Sequence, residues 1–142
     1  MPRPESSPAA LASRFTFDAE LCVIHLDLVG LCLDPAAIDE MMDACEDYIR
    51  TSARPPYILA NWKSTSMSLA AAERYKVRAL PLRTAIAAIF RYNVGDTFAR
   101  LMVRTFTMNA HAKDANIYAS KEEALAVIRE RHRDTLQRSM RR

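Results

Sequence analysis

Residues 55–80 read PPYILANWKSTSMSLAAAERYKVRAL, which places a strand, a loop and a helix in immediate succession. The two prolines end any preceding helix, and Tyr57 to Trp62 form an apolar run of strand length. Lys63 to Ser68 is a polar loop whose last residue can cap a helix predicted from Leu69 to Leu80. A strand that leads directly into a helix is the repeating unit of an α/β fold.

The sequence before this unit predicts a β-hairpin and an amphipathic helix. Arg14 to Asp18 and Leu21 to Val29 are rich in β-branched and aromatic residues and are separated by a short turn. Asp34 can cap a helix that has Pro35 at its first position. The predicted inner face of this helix carries apolar residues at helical spacing: Ile38, Met41, Met42, Cys45, Tyr48 and Ile49. Its outer face is acidic: Asp39, Glu40, Asp43, Glu46 and Asp47.

The sequence after this unit repeats the strand and helix alternation. Thr84 to Tyr92 is a continuous apolar run, which is typical of a central strand covered on both faces. Gly95 and Asp96 predict a turn and a cap for a helix that presents Phe98, Leu101, Met102 and Thr105 on one face. Ala115 to Ala119 predicts a last short strand. Ser120 and Glu123 form a capping box that starts a final helix, which continues to about Leu136.

This order predicts an α/β fold with a mostly parallel sheet of about five strands, an N-terminal antiparallel hairpin strand and four helices. Residues 1–12 are rich in proline, serine and alanine and predict a disordered tail, and residues 137–142 predict a basic tail. We therefore expect one folded domain over residues 13–136.

Composition excludes several classes of protein. The chain has 142 residues but only two glycines, so it lacks the glycine-rich motifs of nucleotide-binding proteins and hydrolases. Its three cysteines do not form a C-x-x-C motif, and no secretory leader precedes them, which favours a reducing, cytoplasmic compartment. No apolar run is long enough to span a membrane.

Charge is distributed unevenly along the chain. Residues 1–50 carry ten acids and three bases, whereas residues 51–142 carry seventeen bases and seven acids. A basic C-terminal stretch contributes to this asymmetry: Arg129, Arg131, Arg133, Arg138, Arg141 and Arg142. No aromatic platform or helix-turn-helix accompanies it, so we do not expect nucleic-acid binding. Contact between this basic end and the acidic face of a second copy would give a salt-sensitive homodimer.

Four segments give the chain a resemblance to the STAS domain family of sulphate transporters and anti-sigma-factor antagonists, above all to its stand-alone bacterial members. They are Leu21 to Gly30, Tyr57 to Asn61, Ala85 to Tyr92 with the following Asn93-Val94-Gly95-Asp96, and Asn116 to Leu125. The resemblance implies a non-enzymatic regulatory, signalling or scaffolding domain that acts by binding a protein partner. It places the partner surface on the second helix and on the loop before it.

The residues expected on this surface are Trp62, Lys63, Ser66, Ser68, Arg74 and Arg78. For Trp62, packing in the core is an equal alternative. Family members that work as phosphorylation switches carry an aspartate before the serine and a glycine after it, and this chain has neither. A phosphate on Ser66 or Ser68 would nevertheless lie at a helix N-terminus, where negative charge is favoured, and Lys63, Arg74 or Lys76 could pair with it. The simpler interpretation of Ser68 is that it only caps the helix.

Two other functions are compatible with the sequence. A methionine group could line an apolar cavity between sheet and helices, which would suit a small-molecule or lipid carrier: Met41, Met42, Met102 and Met108. His25 and Asp27 lie on one face of a strand and could form the acid–base pair of a hydrolase-like enzyme. Cys22 and His25 are three residues apart on a strand and cannot share a metal ion, and we expect no cofactor. His111 is expected at the surface and His132 partly packed.

Overall fold

The computed structural model describes residues 11–95 and 116–140. Its main sheet has five strands in the order β1-β2-β4-β6-β7. β1 pairs antiparallel with β2, and every other neighbouring pair in this sheet is parallel. The strands are β1 (Phe15–Asp18), β2 (Val23–Asp27), β4 (Tyr57–Asn61), β6 (Ala88–Tyr92) and β7 (Ile117–Tyr118). The predicted sheet of five mostly parallel strands with an antiparallel hairpin strand is confirmed.

A second, two-stranded sheet was not predicted. β3 (Cys32–Leu33) and β5 (Ser66–Met67) pair in parallel, and the backbone N–H of Ser66 donates to the carbonyl of Leu31 over 2.9 Å. β5 lies inside the polar loop that follows β4. This pairing fixes the loop against the chain that enters the first helix.

Each of the three α-helices in the described residues begins at the cap that the sequence predicts. They are α1 (Pro35–Thr51), α2 (Leu69–Ala79) and α3 (Lys121–Met140). The caps Asp34, Ser68 and Ser120 accept hydrogen bonds from backbone N–H groups three residues later. Four helices were predicted, and this number is not confirmed: the predicted helix that starts at Asp96 lies in residues 96–115, outside the described part of the chain.

The helices cover both faces of the main sheet and give two apolar cores. The inner faces of α1 and α2 pack on one sheet face, where Ile38, Tyr75 and Ile58 belong to the same buried cluster. α3 packs on the opposite face, where Ile128 and Phe90 are fully buried. Because side chains alternate along a strand, neighbouring residues of β2 serve different cores.

Several predicted boundaries differ from those in the structure, and three of the differences change the description of a segment. The strand predicted from Thr84 starts only at Ala88, because Leu80–Thr84 forms a short 3-10 helix. α3 continues to Met140, so the predicted basic tail is helical over most of its length. Leu11, inside the predicted N-terminal tail, is buried in the first core.

Candidate functional site

The loop between β4 and α2 is held from within and exposes two of the predicted contact residues. Thr65 is buried, and its hydroxyl donates to the carbonyl of Leu28 over 2.6 Å. Lys63 and Ser66 on either side of it are exposed, and Ser64 has a positive φ of 55°. The hydroxyl of Ser66 lies 3.4 Å from the sulfur of Cys32, which is also exposed. A partner can therefore reach Lys63 and Ser66 directly.

Ser68 has a structural role at the start of α2. Its side chain is exposed, so it is also accessible for a second role. Its side-chain oxygen accepts the backbone N–H of Ala71 over 3.0 Å, which satisfies one of the free donors at the start of α2. The cap expected from the sequence is thus present.

Trp62 lies in the interior and not on the surface where the sequence analysis expected it. It is 2% exposed and belongs to the first core. It follows the last residue of β4, and its side chain shares a sheet face with those of Ile58 and Ala60. In this conformation Trp62 cannot anchor a partner.

Arg74 and Arg78, also expected to contact a partner, bind acidic residues of the same chain. Arg78 lies within 3.0 Å of Asp39, Asp43 and Glu46, all on α1. Arg74 joins the same group through Asp39 at 2.8 Å. Hydrogen bonds from Arg74 and Arg78 lower the pKa of Asp39. Hydrogen bonds to the carboxylates of Asp43, Glu46 and Asp39 raise the pKa of Arg78. These ion pairs fasten α2 to α1 and neutralise much of the acidic face that was expected to bind a second copy.

An exposed apolar stripe on α2 was missed by the sequence analysis. Leu69, Val77 and Leu80 are 69%, 62% and 61% exposed. At 100° per residue they fall on the side of the helix opposite the buried Ala71 and Tyr75. The sequence does contain this signal, because the spacing of these three residues differs from that of the buried positions. We call this group the α2 stripe.

The polar residues of β2 do not form the predicted acid–base pair. His25 and Asp27 lie on the same sheet face, but no hydrogen bond joins them. One carboxylate oxygen of Asp27 instead accepts the backbone N–H of Val29 over 3.1 Å. Burial and, secondarily, the charge of Lys121 lower the pKa of His25, against a smaller opposing effect of Asp18, which favours the uncharged ring. Within residues 11–95 and 116–140 no cluster of metal-ligating side chains is found. Cys22 is buried.

A small apolar cavity lies between the main sheet and helices α1 and α2. Met41 and Met42 line it, as does Arg91, whose guanidinium donates to the hydroxyl of Tyr75 over 3.3 Å. Its volume is about 20 Å³, which is room for roughly one water molecule. Sites for small molecules usually have volumes of about 300–1,000 Å³. Met102 and Met108 lie outside the described residues.

The basic residues of α3 are mostly solvated. Arg131 packs over the ring of Phe90, with 5.1 Å between guanidinium carbon and ring centroid. His132 is half-buried, as expected, and its ring lies 3.1 Å from the guanidinium of Arg54. His111, Arg141 and Arg142 are outside the described residues.

Neither a protein-family model nor a curated protein sequence matches the chain. The fold and the geometry above are therefore the observations from which its function can be argued, and the STAS resemblance stays a prediction. Among the helices of the described residues, none has the length and apolar character needed to cross a membrane.

Proposed function

We propose that this chain is a non-enzymatic, STAS-like regulatory or scaffolding domain of the cytoplasm that binds a protein partner. The binding surface comprises the α2 stripe and the exposed loop residues Lys63, Ser66 and Ser68. Partner binding would bury Leu69, Val77 and Leu80, which are now largely solvated.

The α2 stripe carries this proposal. Three large apolar side chains, each more than 60% exposed, lie on one side of α2 and of the first residue after it: Leu69 in the first turn, Val77 in the last turn, and Leu80 where the 3-10 helix begins. Val77 and Leu80 are three positions apart and are neighbours on this side, whereas Leu69 is separated from them by the exposed Glu73. Grouped exposed apolar side chains mark interaction sites more often than isolated ones. Burying each such side chain contributes about 1.5–3 kcal/mol. Two ion-paired arginines position the helix without occupying its outer side.

Phosphorylation of the loop would change the charge of the same surface. A phosphate on Ser66 or Ser68 would add negative charge at the N-terminal end of α2, beside Lys63. On Ser68 it would also change the oxygen that caps the helix. The carrier function receives no such support, because the cavity holds about one water molecule.

A photo-crosslinking experiment tests this function. A photoreactive residue at Val77 should yield one abundant covalent adduct in cells, and the same probe at Met140 should not yield it. Met140 is a suitable control because it is 85% exposed on α3, on the opposite face of the sheet.

Once the partner in the adduct is identified, its affinity for purified variants of the chain is measured. We expect Val77→Ser with Leu80→Ser to weaken binding at least about a hundredfold, since two apolar contacts are removed. The matched pair Leu136→Ser with Met140→Ser should bind as the parent does. Equal affinity of the α2 pair and the parent would refute the proposed surface.

A further inference from the structure

β1 lies at one edge of the main sheet, and within the described residues only β2 pairs with it. The backbone N–H of Asp27 donates to the carbonyl of Arg14, which fixes the alternation of hydrogen bonds along this antiparallel pair. Thr16 and Asp18, in step with Arg14, therefore turn their backbone groups toward β2. The residues whose backbone groups point away from the sheet are Phe15 and Phe17. Such an edge can accept a further strand.

The segment that forms this edge is self-complementary. Residues 14–18 read RFTFD, so Thr16 is flanked first by two phenylalanines and then by two opposite charges. When two copies run antiparallel with Thr16 at the centre, each Phe15 lies opposite the partner's Phe17. In the same register each Arg14 lies opposite the partner's Asp18. Opposite charges placed directly across two strands stabilise the pairing, and like charges oppose it.

The backbone selects the same register. In an antiparallel pair, residues that exchange hydrogen bonds alternate with residues that do not. Phe15 and Phe17 point their backbone groups outward, so they must be the hydrogen-bonded pairs of any antiparallel strand added to β1. The register centred on Thr16 meets this condition, because it joins Phe15 to the partner's Phe17 on both sides of the centre.

The aromatic side chains of β1 are incompletely covered by their own chain. The rings of Phe15 and Phe17 stack on Tyr48 of α1, with centroids 5.8 Å and 6.2 Å away. Phe15 is buried, whereas Phe17 is 38% exposed. In the register described, the exposed ring of Phe17 lies beside the partner's Phe15, on the sheet face that carries α1. Aromatic pairs directly across two strands are among the contacts that stabilise a sheet.

We propose that two copies of this chain pair antiparallel through β1 and join their main sheets into one sheet of ten strands. Phe15 and Phe17 of each copy exchange four backbone hydrogen bonds with those of the other, and Arg14 and Asp18 form two ion pairs. The contact uses the same surface of both copies, so the assembly closes at two chains. It uses neither the α2 stripe nor the acidic face of α1.

Disulfide trapping tests the register. Thr16 lies opposite the partner's Thr16 in a pair without hydrogen bonds, where Cα atoms are about 4.5 Å apart, a distance that a disulfide can span. Thr16→Cys, in a chain whose exposed cysteine is removed by Cys32→Ser, should therefore form an intermolecular disulfide on mild oxidation. Thr84→Cys in the same background is the matched control, because Thr84 is an exposed threonine of the 3-10 helix. It should not form this disulfide.

A charge exchange tests the ion pairs. Arg14→Asp alone and Asp18→Arg alone each place like charges in both contacts, and each should weaken dimerisation at least about tenfold. An equimolar mixture of the two variants should recover the affinity of the parent, because every contact in a mixed dimer again joins opposite charges. Sedimentation velocity of the parent, both variants and the mixture measures this. Recovery in the mixture distinguishes a lost contact from a variant that fails to fold.

Several results would overturn the proposal. The parent would sediment as a monomer even at about 1 mM, or Thr16→Cys would crosslink no more than Thr84→Cys. Equally, the mixture would dimerise no more tightly than either variant alone. If Thr16→Cys in a cell lysate joins a different protein and not a second copy, the edge accepts another occupant. If Val77→Ser with Leu80→Ser abolishes the dimer, the two copies meet through the α2 stripe and not through β1.

Discussion

At the scale of single residues, backbone conformation separates the two glycines. Gly30 has a φ of 75°, in the left-handed region that side chains with a Cβ avoid, and its N–H donates to the carbonyl of Lys63 over 3.0 Å. An added Cβ would meet no atom within 4 Å at Gly30 or at Gly95. Any cost of replacing Gly30 is thus conformational, without a steric clash.

We expect Gly30→Ala to lower the free energy of unfolding by about 1–2 kcal/mol, the cost of the left-handed conformation for a residue with a Cβ. Urea denaturation of the variant and the parent measures it. Gly95→Ala is the control, since its φ lies outside the left-handed region, and should leave stability unchanged or slightly higher. Equal effects of the two substitutions would argue against this conformational assignment.

At the same scale, the sequence analysis placed Trp62 wrongly on the surface. An apolar residue at the end of a strand can belong to either face, and the sequence around Trp62 does not distinguish a core position from an exposed anchor. In the structure Trp62 continues the alternation of β4: its backbone N–H donates to the carbonyl of Tyr92, and its side chain lies in the same core as Ile58 and Ala60.

At the scale of elements, caps were predictable and pairings were not. Asp34, Ser68 and Ser120 sit directly before their helices, so a local signal sufficed. A capping box would have the carboxylate of Glu123 accept the N–H of Ser120, but in α3 it accepts that of Ala119. The contact of Arg78 with α1 joins residues more than thirty positions apart, which no local pattern specifies.

The contact between α1 and α2 depends on Arg78. An exposed ion pair contributes about 0–1 kcal/mol, and Arg78 makes three, with its side chain only 19% exposed. We expect Arg78→Ala to lower the free energy of unfolding by about 1–2 kcal/mol at neutral pH and low salt. Arg50→Ala removes one solvent-exposed pair, with Asp47, and should cost less than about 0.5 kcal/mol.

The same network should depend on pH. Because its two arginine partners lower the pKa of Asp39 in the folded state, its contribution is complete above the ordinary value of 3.8 and is lost as pH falls through the lower folded value. Urea midpoints measured as pH falls from neutral to below 3.8 should therefore converge for Arg78→Ala and the parent. A difference that stays constant over this range would mean that packing, and not charge, explains the effect of Arg78.

At the scale of the whole molecule, part of the uneven charge of the sequence is compensated within the chain. The acidic residues of α1 come from the first fifty positions and the arginines that bind them come from α2. The fold class followed from the order of strands and helices, because hydrophobic periodicity is a property of each segment. The distribution of helices over the two sheet faces did not follow, since it depends on how the segments pack.

α3 is a long helix of which only the first half supports the fold. A helix of 20 residues is about 30 Å long, whereas a five-residue strand is about 17 Å long. Its buried residues are Ala124 and Ile128, and all positions after His132 are exposed. The second half therefore extends past the sheet.

This asymmetry predicts a large loss of stability for one change in α3 and a small loss for another. Ile128→Ala opens a cavity in the core under α3 and should lower the free energy of unfolding by about 2–5 kcal/mol. Deleting residues 134–142 removes more atoms but, within the described part, no buried side chain, so we expect a change below about 0.5 kcal/mol. Thermal and urea unfolding of both variants measure this. A deletion as costly as Ile128→Ala would show that the exposed half of α3 also supports the sheet, because a helix end that packs on nothing contributes little to stability.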